Sequence, residues 1–338
     1  MNVQEKILRE KIDPALTVEN LCRLSTRALK EAVRAESARV LTGGCWNRVV
    51  AVSFEGDIPD LVFKISPSED DHRLKREYGV LDFFSHQTHM PVPEPLLLDP
   101  TGQTIPGSVL VMRRLPGIVL HQAYGYLGSR DQLSISDQVG HSVGRLHNKR
   151  SKLFGGIELS SHERVAEWKD FWLPRFDTVF EDISQKNLIE VSFLDAIAEQ
   201  RKGFSNYLEI GGDSTLTHYD IWSGNVMVDM HGHSLSERHN DRSGQRFDDR
   251  DGVRVSGFLD IPGFWADYAR ELSFMEMFGM ADSRFYEVYT SYHQLDEGFE
   301  IRKNLYNLKM HLRHITMYPD QRCYRDGARQ CLSYIESH

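Results

Sequence analysis

Cysteine is scarce: Cys22, Cys45, Cys323 and Cys331 are the only four in 338 residues, and none has the Cys-x-x-Cys spacing of a structural zinc site. So few thiols exclude a disulfide scaffold and fit a reducing compartment. No stretch approaches the roughly 18 apolar residues of a membrane span, and Met1 to Lys6 is not a basic segment leading into an apolar one. These absences point to a cytoplasmic protein. Positive charge is short as well: 40 Lys and Arg stand against 49 Asp and Glu, a net charge of -9. Such a chain has no general attraction for nucleic acid or an anionic membrane, and suits a cationic or amine-bearing small molecule better. There is no internal repeat, and the length allows two ordinary domains or one two-lobed unit with a large core.

What is present changes character along the chain. Residues 17–35 read as a helix, with Thr17 as N-cap and Leu21, Leu24 and Ala28 at helical spacing, making 1–36 a helical leader. The runs Ala38 to Leu41, Val49 to Phe54 and Leu61 to Ile65, separated by Gly43-Gly44 and Gly56-Asp57, predict an antiparallel meander. Leu74, Tyr78, Leu81 and Phe84 predict an amphipathic helix over 72–86, ended by the proline-rich Pro91 to Pro95. A further strand, Ser108 to Met112, leads into Arg113-Arg114-Leu115-Pro116-Gly117, whose proline and glycine suit a linker. The first lobe thus spans 37–115 and the second 116–338.

The second lobe reads as mainly helical, with one-face sets such as Val139, Val143, Leu146 and Leu305, Leu308, Leu312, Ile315. Val226 to Val228 and Val255 to Leu259 read as strands interrupting it. Between them Met230 to Arg254 is very polar and predicts a long exposed hairpin loop. Its His231, His233 and His239 read as solvated histidines, since no carboxylate or thiolate spacing completes a metal site. The expected class is α+β, a small antiparallel sheet lobe followed by a larger helical one.

The strongest local signal is His218-Tyr219-Asp220-Ile221-Trp222-Ser223-Gly224-Asn225. Phosphoryl transfer needs an acceptor for a hydroxyl proton and an oxygen ligand for Mg²⁺ close by, and an aspartate five residues before an asparagine supplies both. Asp220 is then the base and Asn225 a metal ligand. Asp260, closing the apolar run Val255-Ser256-Gly257-Phe258-Leu259, is the candidate second metal ligand, because Mg²⁺ prefers hard oxygens. Lys64 lies inside an apolar strand and needs a partner; Glu77, thirteen residues on, supplies the Lys and helix-Glu pair that aims an ammonium at nucleotide phosphates. Upstream, Leu41-Thr42-Gly43-Gly44-Cys45-Trp46-Asn47-Arg48 places small residues between two strands, where backbone amides can approach phosphate oxygens, although a two-glycine turn also suits an ordinary hairpin. Cys45, by its place in this run, is a candidate redox switch; a small buried thiol is the plainer reading.

Together these residues resemble the aminoglycoside phosphotransferase and choline kinase superfamily, whose fold is protein-kinase-like. Leu216 to Asn225 is similar to the fructosamine (ketosamine) kinase form, in which Trp-Ser-Gly-Asn follows the catalytic aspartate. Gly43-Gly44-Cys45-x-Asn47, Phe154-Gly155-Gly156 before Trp168, and Arg270-Glu271-Leu272 resemble the same family, as do Phe285, Tyr289, Phe299, Arg302 and Tyr306. The resemblance implies a two-lobed kinase that uses ATP, with GTP not excluded, and Mg²⁺. By it Asp220 is the base, Asn225 and Asp260 hold the metal, and Thr42, Asn47 and Lys64 face the nucleotide, with Glu77 orienting Lys64. It also puts Met112 behind the adenine, the backbone of Arg113 and Leu115 on its edge, and His218 as a brace of the loop. Trp222 and Trp265 either stack on a sugar-like substrate or are core aromatics.

The departures bear on the acceptor. Tyr219 stands where the family usually has glycine and is expected to narrow the substrate entrance, and Asp260-Ile261-Pro262 replaces the usual Asp-Pro. The expected activity is phosphorylation of a hydroxyl on a small molecule, amine-bearing or sugar-like, by a monomer or homodimer with no nucleic-acid or membrane partner. A ketosamine, an aminoglycoside and another natural product all remain open as acceptors. A pseudokinase would lack the base or a metal ligand, and a protein kinase would carry Gly-x-Gly-x-x-Gly, Asp-Phe-Gly and Ala-Pro-Glu.

Overall fold

The computed structural model describes residues 16–41, 47–230 and 252–338. Thr42 to Trp46 of the predicted phosphate loop, Cys45 among them, and most of the polar Met230 to Arg254 segment, with its three histidines, lie outside the described residues. The chain divides into two compact units: Met1–Gly117 with Ser256–Asp260, and Ile118–Val255 with Ile261–His338.

In the first unit, helix α1 (Val18–Leu29) is capped by Thr17, whose Oγ1 accepts from Asn20 N at 3.1 Å. It ends at Lys30, which turns left-handed (φ 59°), so the helix is shorter than the composition of 17–35 suggests. Strands β1 (Ala35–Leu41), β2 (Arg48–Phe54), β3 (Leu61–Ser66), β4 (Pro95–Asp99) and β5 (Ser108–Arg113) form an antiparallel sheet of order β1-β2-β3-β5-β4. Leu21 and Leu24 of α1 join Val52, Leu61, Phe63 and Val111 in one core. Helix α2 (His72–Gln87) starts at Asp71, which accepts from Arg73 N at 2.8 Å. It buries Leu74, Val80, Leu81 and Phe84, whereas Tyr78 stays half-buried. The proline-rich run does not stay irregular: Pro95 opens the edge strand β4, where a missing N–H costs no ladder bond.

In the second unit, β6 (Ile118–Val119) pairs with β10 (Val226–Asp229), Met227 opposite Val119. A four-stranded sheet has the order β7-β9-β12-β8, built from β7 (Arg150–Ser151), β8 (Gly155–Gly156), β9 (Ser214–Thr217) and β12 (Phe264–Ala266); between the last two in sequence, β11 (Arg254–Phe258) carries the chain back into the first unit. In a lobe whose sequence reads as mainly helical, the segment before His218 is therefore a strand. Its alternation of Ser, Thr and Leu suits a short buried ladder better than a helical face. The longer helices are α3 (Ser129–Leu146), α4 (Trp168–Lys186), α5 (Val191–Arg201), α6 (Tyr268–Met277), α7 (Ser283–Tyr289), α8 (Phe299–Met317) and α9 (Arg322–Glu336). Helix α8 packs against α4, α6 and α9. Among the described residues no helix is long and apolar enough to cross a membrane.

A buried polar chain fixes the start of α6. Trp168 Nε1 donates to Tyr306 OH at 2.7 Å, Tyr306 OH donates to Asp267 Oδ2 at 2.5 Å, and Arg302 Nε donates to the same oxygen at 2.7 Å. Asp267 Oδ1 in turn caps the helix by accepting from Ala269 N. These partners explain how an aspartate and an arginine stand in a core of Trp168, Trp172 and Phe176.

Candidate active site

The predicted residues fall in both units. In the first, β3 turns Leu61, Phe63 and Ile65 into the core, and the period of two leaves Lys64 on the other face. Helix α2 brings Glu77 to it: Lys64 Nζ lies 2.5 Å from Glu77 Oε1 and also pairs with Asp260 Oδ1. Burial on its own would lower the Lys64 ammonium, but Glu77 and then Asp260 outweigh it and hold the group above its ordinary value. Glu77 is pushed up, burial prevailing over the Lys64 charge. Asp260 sits in the left-handed region (φ 51°) and is 58 % exposed. Its segment is tied to the first unit by Phe258 N donating to Pro91 O at 2.9 Å and Ser256 Oγ donating to Pro116 O at 2.6 Å. Gly257 permits this approach, since a Cβ there would lie 2.5 Å from Leu115 Cδ1 and 2.9 Å from Pro91 O.

Met112 is buried opposite Val62 in the β3–β5 ladder. Arg113 N donates to Glu94 O at 2.9 Å and Arg114 N to Asp60 O, whereas the Leu115 amide makes no hydrogen bond among the described residues. Asn47 presents a buried side-chain Oδ1 that has no partner among them either. Both are groups that a bound polar ligand would satisfy.

In the second unit, β9 delivers His218, Tyr219 and Asp220 into a loop held from below by Glu271 of α6. Glu271, fully buried, accepts from Tyr219 N at 2.7 Å and from His218 N at 3.2 Å. His147 at the end of α3 lies 2.8 Å from Glu271 Oε2 through Nε2, with Tyr289 OH on its other ring nitrogen at 2.9 Å. Burial would raise the Glu271 carboxyl, but the His147 hydrogen bond and charge, with further help from His218 and the Tyr219 amide, bring it below its usual value. Sequence reasoning gave Glu271 and His147 no role. Their partners lie 52 and 124 residues away in the chain, so no local pattern marks them.

His218 Nδ1 accepts from Asp220 N at 3.2 Å. Asn225 Nδ2 donates to Asp220 Oδ2 at 2.9 Å and to Asp220 O at 3.0 Å, which binds the two ends of the motif and leaves the amide oxygen of Asn225 for another partner. Gly224 makes room for Trp222, whose ring would lie 2.4 Å from a Cβ there. Trp222 is 37 % exposed, whereas Trp265, on β12 opposite Leu216 and Gly155, is half-buried. Tyr219 is in the left-handed region (φ 83°), which accounts for glycine at this point of the related motif. Its ring lies against Phe264, centroids 4.5 Å apart, and beneath the Arg270 guanidinium at 4.2 Å.

Asn225 Oδ1 in the second unit and the Asp260 carboxylate in the first are each hard oxygens of the kind Mg²⁺ takes; among the described residues there is no group of three or more His, Cys, Asp or Glu that could hold a metal ion. A cavity of about 560 Å³ elsewhere in the second unit, lined by Arg150, Asp213, Tyr268 and Arg302 among others, includes none of the predicted residues.

The sequence matches the fructosamine kinase family model over residues 17–337. It is 23 % identical over 264 residues to a protein of Vibrio parahaemolyticus named "probable ketoamine kinase", covering 75 % of this chain and 78 % of that one. The fold is similar to the crystal structure of a "putative fructosamine-3-kinase" from Thermobifida fusca, with TM-score 0.69 and 15 % identity over 96 % of this chain and 100 % of the other. It is also similar to the ADP-bound aminoglycoside phosphotransferase APH(2″)-Ib, with TM-score 0.58 and 15 % identity over 94 % and 97 %.

Proposed function

Since this chain belongs to the fructosamine kinase family and is a small-molecule kinase, we propose that it transfers the terminal phosphoryl group of ATP to a hydroxyl of a ketosamine, with Mg²⁺. The observation that carries this reading is the pairing of Asp220 with Asn225 on one braced loop. Asp220 accepts the proton of the attacking hydroxyl through its carboxylate, and the Asn225 amide keeps that carboxylate aimed. Glu271 and His218 hold the backbone on either side, so the base is positioned before substrate arrives. Lys64, oriented by Glu77, binds the nucleotide phosphates, and the Leu115 amide, Arg113 backbone and Met112 side chain receive the adenine. Thr42 and Asn47 belong to the loop over the phosphates. Asn225 and Asp260 are the metal ligands, and bound Mg²⁺ would supply neutralisation of charge on the phosphates. Trp222, exposed beside the loop, is the stacking surface for the sugar portion of the acceptor.

The test is phosphate transfer from labelled ATP across ketosamines, aminoglycosides and amino alcohols, comparing wild type with Asp220→Asn. Transfer to ketosamines that falls about 10²- to 10⁴-fold in the variant is expected. Transfer confined to aminoglycosides would move the acceptor to that class, and activity indifferent to Asp220→Asn would remove the base assignment.

A further inference from the structure

Four cations of the second unit gather near Tyr219 with no ion pair to a carboxylate among the described residues: Arg270 on α6 and Arg175 on α4 lie close to the Tyr219 side chain, and Lys309 on α8 interacts with both and with Arg313 one turn on. Arg270 is only 6 % exposed, its Nη1 has no hydrogen-bond partner among the described residues, and Nη2 reaches only the Met310 sulfur at 3.7 Å. Its guanidinium lies over Tyr219 and, at 5.1 Å, over Phe274. Arg175 lies over Phe171 at 3.6 Å and Lys309 over Trp172 at 5.5 Å, so aromatic faces stand where counter-ions would be expected. Burial, then Arg270, Arg175 and Arg313, bring the Lys309 ammonium down to about 7. Arg175 and Arg313 are exposed, so the group runs from the surface to a buried guanidinium.

Several other cations of the unit are treated otherwise. Arg302 is paired with Asp267 and Asp296, Lys303 with Glu276 and Glu300, Arg201 with Asp177 and Arg284 with Asp137. In a chain with nine more acids than bases, an uncompensated set of four is a departure that charge composition does not produce by default. Its place is informative too, because Tyr219, which carries Arg270 on its ring, is the residue preceding Asp220.

We propose that Arg175, Arg270, Lys309 and Arg313 form an oxyanion site for the acceptor, so that the preferred substrate is a ketosamine bearing a carboxylate or phosphate on its amine-side substituent. This rests on the kinase reading above and deepens it. Guanidinium groups bind such anions through paired N–H donors, and the unpartnered Arg270 Nη1 is a donor of that kind. The anion would also oppose the burial and neighbouring cations that hold Lys309 down. Tyr219 then does not close the entrance: its ring is the floor that presents Arg270.

The experiment uses three probes: deoxyfructosyl-glycine, its amide, and a deoxyfructosyl aminoethyl phosphate. Turnover with Mg·ATP and calorimetric binding without nucleotide are measured for wild type, Lys309→Met and Arg175→Gln. In wild type the anionic probes should exceed the amide by about 10- to 100-fold in kcat/KM and in affinity, with each substitution reducing that ratio several-fold. The preference between the two anions identifies the group recognised. Equal behaviour of amide and anions in wild type, or a ratio that both substitutions leave intact, overturns the oxyanion site while the kinase reading stands. Charge-selective binding through Lys309 and Arg175 with no transfer to any probe keeps the site and overturns the ketosamine kinase reading. Neither transfer nor selective binding overturns both.

Discussion

Arg302 and Arg270 stand on neighbouring helices of one unit, 5 % and 6 % exposed, and are surrounded in opposite ways. Arg302 spends its fork on Asp267 and Asp296, so its charge is matched and its geometry fixed. Arg270 has aromatic rings, a thioether and the Lys309 ammonium about it. A buried charge is expensive unless paired, so the first arrangement explains itself as structure. The second leaves Arg270 Nη1 without a partner among the described residues, which is the feature the proposed oxyanion site uses. The same contrast separates Glu271, which three surrounding donors stabilise as a carboxylate beneath the loop, from Lys309, whose charged form its surroundings disfavour.

That comparison can be broken at several points. The largest effect is expected from Arg302→Met, which leaves Asp267 buried without its cation and should cost about 3–5 kcal/mol in urea unfolding. A loss under about 1 kcal/mol would show that the pair behaves as a surface contact and dissolve the contrast. Lys309→Met should work in the opposite direction. The folded ammonium is depressed to about 7 against an ordinary 10.5, so at and below neutral pH wild type carries the full penalty of a charged, uncompensated group. As pH rises from 7 towards 10.5 the folded state releases its proton first and wild type gains stability. The variant should therefore be more stable by on the order of 1–3 kcal/mol near pH 6, with the advantage shrinking through alkaline pH; a constant difference between pH 6 and 10 would count against it. Smallest is Tyr219→Gly. Relief of the left-handed backbone, about 1–3 kcal/mol, offsets lost contact with Phe264 and Arg270, leaving a net change in thermal unfolding within about 1 kcal/mol. A drop beyond 3 kcal/mol would mean that the ring, more than the backbone, decides this position.

Much of this was legible before any coordinates. Lys64 was conspicuous because it interrupts a strand whose alternation is otherwise apolar, and Glu77 because it lies on the helix that follows. Asp220 and Asn225 are close in sequence, so one loop had to carry both. The reading failed where local signal is thin. Helix α1 was extended past Lys30 because nothing in Ala32-Val33 forbids a helix, and only the left-handed turn at Lys30 ends it. Strand β12, three residues long after Pro262-Gly263, is too short for any periodicity to show. The packing of Tyr219 between Phe264 and Arg270 could not be read either, because those contacts are set 45 and 51 residues further along.

The sequence by itself determined the two-part α+β organisation, the lysine with its helix glutamate, and the aspartate and asparagine of one loop, because each is encoded by spacing within a single element or a short run. Only the tertiary structure decided that Glu271 and His147 brace that loop, and that Arg175, Arg270, Lys309 and Arg313 gather without a carboxylate partner among the described residues. Charges drawn from three helices have no common period, and whether a buried cation is matched depends on which distant side chains the packing brings to it.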